Sequence, residues 1–289
     1  MNSTRLIKKT VLCAVILGIV YLLACTYLWA RQGYFIFTPR RDIKKTPAVH
    51  QLRYEDVFMI IENKDGHKER IHGWWIPADS PESRVLLYLH GSAINIGANV
   101  DSARRFHEMG FSVLLISYRG FGNSDGVFPT EKQVYADAEA AWNYLVTQKS
   151  IAPGSIFIYG HSIGGAIAID LAVSHPDAAG LIVEATFTSI IDMAHLQYRY
   201  RLLPMHLIVE QKFDSLSKVD DLNVPALFIH GTHDRRVPPE MSRRLYENTS
   251  SPKHIKFIKG GGHNNNGTIG GEDYIRTIRE FVGSVNQKS

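Results

Sequence analysis

The chain has 289 residues, of which 45% are hydrophobic and 21% charged, an ordinary globular composition that excludes general disorder. Three of its four net positive charges come from Arg5, Lys8 and Lys9, ahead of an uncharged run; the rest is nearly neutral with interspersed signs, which argues against nucleic acid as a partner. Both cysteines, Cys13 and Cys25, lie in that same run, so the rest of the chain has no disulfide scaffold, thiol nucleophile or cysteine zinc site.

From Thr10 to Ala30 there are 21 residues without a charge. As a helix this run measures roughly 31 Å at 1.5 Å per residue, enough to cross a hydrocarbon core. Tyr27 and Trp29 suit the membrane interface, and Arg31 closes the segment. The expectation is a retained single-pass anchor over residues 1–31. The alternative is lipoprotein processing at Cys25, after Leu22-Leu23-Ala24. Basic residues flank the run on both sides, so the positive-inside rule does not say which side holds the rest. Residues 32–50, with Pro39, Pro47 and several cations, read as a linker, and residues 51–289 as one domain.

Within that domain Val57–Ile61 and Ile71–Ile76 flank Asn63-Lys64-Asp65-Gly66, a hairpin signal. Val85–Leu89, Ser112–Ser117, Ile156–Tyr159, Leu181–Glu184, Ala226–Ile229 and His254–Ile258 are aliphatic runs of strand length. Thr130–Gln148, Ser162–Ser174, Pro239–Glu247 and Glu272–Val282 carry helical spacing. Near-continuous apolar strands separated by helices predict a three-layer α/β/α sandwich around a mostly parallel sheet, mixed at the hairpin. Ligands of such sheets bind beyond the carboxyl ends of the strands.

Gly-x-Ser-x-Gly occurs twice there. Gly122-Asn123-Ser124-Asp125-Gly126 sits in a glycine-rich loop with no helix opening at its serine, and reads as a turn. Gly160-His161-Ser162-Ile163-Gly164 joins a strand directly to an Ala/Ile/Leu helix, the context that exposes a serine oxygen on a strained turn. Ser162 is the expected nucleophile. In this architecture an acid and then a histidine should follow in chain order. Asp234 lies just beyond Ala226–Ile229, and His263 just beyond His254–Ile258. Asp192 is the alternative acid, whereas His161, His230 and His233 read as structural. The expected oxyanion donors are the amide of Ile163 and one from the His90-Gly91-Ser92-Ala93 loop, Ser92 first and Ala93 second. No short-range spacing suggests a metal site, and this chemistry needs no cofactor.

His90-Gly91-Ser92, the Ser117–Gly126 stretch, Gly160–Gly165 and His230–Asp234 together resemble the α/β-hydrolase superfamily. Within it they resemble the small membrane-anchored serine hydrolases, akin to serine aminopeptidase-like and α/β-hydrolase-domain proteins. The resemblance spans about residue 50 to the end and implies Ser162, Asp234 and His263 as a triad, with the Tyr118–Gly126 loop beside it. Ser92 departs from the asparagine frequent in that branch. The expected activity is hydrolysis of an acyl ester or thioester. The apolar stretch within Thr186–Lys212 either caps the site or merely packs on the sheet, and as a cap it favours a lipid acyl substrate. An aminopeptidase would need an acidic clamp, for which Glu184 is the lone candidate; a non-catalytic scaffold is the third reading.

Overall fold

The computed structural model describes residues 3–62, 66–80 and 83–285. The turn expected at Asn63–Asp65 lies outside the described residues, but the strands on either side pair as a hairpin should. In chain order the elements begin with α1 (Ser3–Ile36), β1 (Thr38–Pro39), β2 (Glu55–Glu62), β3 (Lys68–Ile76), β4 (Val85–Leu89) and β5 (Ala93–Ile94). Next come α2 (Val100–Glu108), β6 (Ser112–Ile116), α3 (Glu131–Asn143), β7 (Ile156–His161), α4 (Ile163–Ser174) and β8 (Gly180–Glu184). The chain closes with α5 (Ile190–His195), α6 (Met205–Ile208), β9 (Ala226–Gly231), α7 (Pro239–Asn248), β10 (Lys253–Ile258) and α8 (Asn266–Val285).

Eight strands form one sheet in the order β10-β9-β8-β7-β4-β6-β3-β2. Only β3 runs against its neighbours, so the sheet is parallel from β10 to β6 and mixed at the hairpin, as expected. Alternation along a strand sends its side chains to two separate cores. Val85, Leu87 and Leu89 of β4 pack on the side of α3, α4 and α7, while Leu86 and Tyr88 pack on the side of α2 and α8. Helix α4 is apolar all round because it is buried on nearly every side. Thr130 opens α3 with a reciprocal Thr130–Gln133 capping box. Helix α2 escapes sequence reading: it is short and mostly polar, and only Val100, Ala103 and Phe106 face inward.

The stretch expected as a linker is docked. Helix α1 runs on to Ile36, and the next side chain, Phe37, is fully buried against Phe121 and Phe213. Thr38–Pro39 then pairs in parallel with Ala93–Ile94. The Asn95 amide donates to the carbonyls of Arg40 and Asp42 at 3.0 and 2.7 Å, and the Arg41 guanidinium donates to the carbonyls of Ser124 and Gly126. Prolines and cations disguised this segment because its bonds use backbone carbonyls and one aromatic ring.

Truncating a buried phenylalanine leaves a cavity, so Phe37→Ala is expected to cost about 3–5 kcal/mol in urea unfolding. Val49→Ala, at a side chain more than half exposed, should stay within about 0.5 kcal/mol of the parent. Equal, small losses for both would mean that Phe37 is not part of the core.

Candidate active site

The turn between β7 and α4 brings helix and strands into backbone contact. A Cβ on Gly160 would sit 2.1 Å from the Gly164 carbonyl oxygen, and one on Gly164 would sit 2.1 Å from that of Leu89. With both absent, Ser162 is held at φ 57°, ψ −122°, a strained region for a residue with a side chain, worth of order 1–3 kcal/mol. Its backbone is pinned to keep it there. The Ser162 amide donates to the Glu184 carbonyl at 2.9 Å, and the Thr186 hydroxyl donates to the Ser162 carbonyl at 2.8 Å.

Three sequence-predicted residues converge above the sheet. His263 Nε2 lies 3.0 Å from Ser162 Oγ, and its Nδ1 lies 2.7 Å from Asp234 Oδ2. Asp234 accepts four hydrogen bonds. The amides of Arg236 and Val237 reach Oδ1 at 2.8 and 2.9 Å, while His230 and His263 reach Oδ2. Burial pushes this carboxyl up, but the bonds from His230, His263 and the Val237 amide outweigh that and hold it well below the usual carboxylate range. Since His230 Nε2 faces both Asp234 and the Val237 carbonyl, two acceptors, it carries a proton, and Nδ1 lies 2.6 Å from the Ser242 hydroxyl.

The histidine loop is fastened from two sides. The His233 amide donates to the Gly261 carbonyl at 2.7 Å. Burial lowers the His161 pKa and keeps its ring neutral, and its Nε2 bonds the His263 carbonyl at 2.8 Å. His161 therefore positions the loop that carries His263. His90 is also buried, its pKa pushed down to about 4 by desolvation, with its ring packed on Tyr118 and Phe121.

Ile163 is the first residue of α4, where an amide has no intrahelical partner. Ser92 lies across from it, lining the same two cavities as Ser162, and its carbonyl accepts from the Thr38 amide at 2.9 Å. The Tyr118 hydroxyl donates to the His90 carbonyl at 3.0 Å, buttressing the same loop. The rival groups are engaged elsewhere. Ser124 is buried, donating to the Ser117 carbonyl at 2.6 Å and accepting from the His72 amide at 2.9 Å. Asp192 accepts from Thr188 and Arg244.

Two cavities meet at Ser162. One, of about 280 Å³, is mostly apolar and includes Phe187, Met193, Met205 and Ile208. The other, of about 370 Å³, is more polar and includes Asn99, Ser102, Asn264 and Glu184. Arg236, which sequence reading passed over, borders both. Glu184 is almost fully buried and accepts from Tyr159, Tyr274 and Asn266 at 2.8, 2.7 and 3.1 Å. The apolar cavity has a wall that the sequence reading did not assign: Leu28, Gln32, Phe35 and Ile36 of α1. Their spacing by three and four, running past the end of the uncharged stretch, was the available signal.

This eight-stranded sheet, flanked by helices on both faces and carrying a serine at a strand–helix elbow, is the α/β-hydrolase fold. An esterase of Pyrococcus furiosus superposes with a TM-score of 0.69 at 20% identity, over 86% of this chain and 98% of that one. The family model for serine aminopeptidase, S33, matches residues 80–217 and 198–265, and the chain belongs to that family. Among its relatives, protein bem46 of Schizosaccharomyces pombe is 32% identical over 91% of this chain and 89% of its own length. Alpha/beta hydrolase domain-containing protein 17B of Homo sapiens is 31% identical over 80% and 77%.

A carboxyl depressed by folding stabilises the protein fully above its unfolded pKa, near 3.9, and that contribution is lost as pH falls through the folded value. The parent should therefore lose more stability than Asp234→Asn between about pH 5 and pH 2, followed by urea midpoints. Parallel acid profiles would show that the Asp234 charge is not held by its four donors.

Proposed function

We infer that the protein is a membrane-anchored serine hydrolase that cleaves an acyl ester or thioester through Ser162, His263 and Asp234. The observation that carries this reading is the unbroken chain from Ser162 Oγ through both ring nitrogens of His263 to Asp234 Oδ2, with bonds of 3.0 and 2.7 Å. With Nδ1–H donated to an ionised carboxylate, Nε2 presents its lone pair to the serine hydroxyl. Ser162 Oγ attacks the carbonyl carbon as His263 takes its proton. The oxyanion is received by the amides of Ile163 and Ser92. His263 then protonates the leaving alcohol or thiol. Water, deprotonated by the same nitrogen, releases the acid from the acyl-enzyme.

The two cavities fit the two halves of such a substrate, the apolar one an acyl chain and the polar one the leaving group. The commitment of Glu184 to three donors supports an ester or thioester over an aminopeptidase substrate, whose amine would need a free carboxylate. An ionised acid and an unbroken Ser–His–Asp chain likewise support catalysis over a scaffold role. Anchoring through residues 10–30 is supported by α1, whose 32-residue stretch Arg5–Ile36 has a mean hydropathy of 2.5 in its most apolar window and none of that window buried.

A fluorophosphonate probe should label the parent and Ser124→Ala but not Ser162→Ala. His263→Ala and Asp234→Ala should each lower turnover of a short soluble ester by orders of magnitude, and the double variant should be little worse than the poorer single one. Full labelling of folded Ser162→Ala would overturn the assignment. A severe Asp192→Asn beside a mild Asp234→Asn would move the acid.

A further inference from the structure

The segment between β8 and β9 leaves large apolar side chains in the open. Tyr198 and Leu202 are each 87% exposed, and Leu207 is 73% exposed. Yet this segment is not remote from the rest of the molecule; it is fastened along one face of α1. The Tyr21 hydroxyl donates to the Leu202 carbonyl at 3.1 Å. Cys25 and Leu28 pack against the cluster formed by Ala194, Met205, Ile208 and Val209. Trp29 Nε1 donates to Glu210 at 2.8 Å, and Gln32 Oε1 accepts the amides of Glu210 and Gln211, both at 3.0 Å. Positions 21, 25, 28 and 32 are spaced by four and three, so they form one stripe down the helix.

That stripe sets the depth of the exposed residues. Tyr21 is nine residues before Ala30, about 13 Å along the helix axis. If α1 crosses a hydrocarbon core about 30 Å thick, Leu202 lies within the half nearest the domain, while Glu210 lies level with Trp29 and Gln32 at the interface. Charge agrees with this placement. Between Asp192 and Glu210 the sequence has Arg199 and Arg201 and no acidic residue. Long arginine side chains reach back to the phosphate level while their stems stay in apolar surroundings, and anionic headgroups attract them.

We propose that the segment Leu196–Leu207 is a second membrane contact, immersed in the same leaflet as α1, and that the apolar cavity ending at Ser162 opens between the two. This rests on the reading of α1 as a membrane anchor. The cavity is lined on one side by α1 (Leu28, Phe35) and on the other by this segment (Tyr200, Met205). More than half of Phe35 is exposed, which places it at the mouth. An acyl chain then passes from leaflet to pocket without crossing water. The substrate class is an ester or thioester whose acyl chain is itself embedded in the bilayer.

The test uses the full chain with Cys13 and Cys25 replaced by alanine, reconstituted in phosphatidylcholine–phosphatidylglycerol vesicles. A bimane label is placed by Leu202→Cys, Leu207→Cys or, at the amino ends of the strands opposite the site, Asn223→Cys. At 202 and 207 the label should be blue-shifted and lose most of its emission to lipids doxyl-labelled in the acyl chain; at 223 it should respond only to aqueous iodide. In parallel, Leu202→Asp combined with Leu207→Asp should lower the ratio of vesicle-embedded to soluble-ester turnover by about tenfold or more. Iodide quenching at 202 and 207 in protein that resists carbonate extraction would overturn the proposal and leave the anchor standing. Extraction of the protein by carbonate would overturn both. An unchanged ratio in the double variant would also count against it.

Discussion

Everything at this site depends on a contact that side chains would prevent. Helix α4 starts so close to β7 and β4 that two carbonyl oxygens occupy the space a Cβ on Gly160 or Gly164 would need. That approach forces the turn to complete in one residue and leaves Ser162 in a left-handed conformation, its oxygen raised above the sheet. It also sets the first free amide of α4 beside the loop after β4. Ser162 and the amide of Ile163 are thus placed by one steric fact, and the strain is borne by a helix and strands buried in two cores.

Asp234 is held by a different logic. Asp234 sits in a loop, yet four donors from three directions reach its two oxygens. Neither oxygen is left to bond elsewhere, so the carboxylate fixes the orientation of His263. His230 and His161 add a further layer, the first bonded to Asp234 and the second to the backbone of His263. Histidines that look like competitors in the sequence prove to be supports for the one that reaches the serine.

How much was legible follows from which forces shape each part. The strands of the sheet, the strand–helix turn at Ser162 and the placement of Asp234 and His263 just past two strand ends were readable because apolar periodicity reflects local rules. The Ser124 copy of the motif was separable from Ser162 by its missing helix alone. What escaped was set by contacts between distant segments. Nothing local in Phe37-Thr38-Pro39 says that it covers the core and pairs with Ala93–Ile94. Nor does the interior of α1 declare that one face is committed to residues 190–211, because an apolar run reads the same whether lipid or protein touches it. Arg236 went unnoticed for the opposite reason: a loop arginine has no pattern, and only the convergence of two cavities gives it meaning.

The contact of Gln32 with the amides of Glu210 and Gln211 has an implication for how this protein can diverge. Ser162, Asp234 and His263 all lie outside residues 190–211, which form one continuous insertion between two strands. In many folds such an insertion could be exchanged freely to alter selectivity. Here one side of the pocket wall, Leu28, Gln32, Phe35 and Ile36, belongs to the first helix, and that helix supplies the acceptor for the insertion's returning backbone. A transplanted insertion would meet a wall shaped for another and would have to offer its own amides to Gln32 in the same place. Selectivity is therefore inherited as a pair of segments more than 150 residues apart in sequence, and variation in one is constrained by the other.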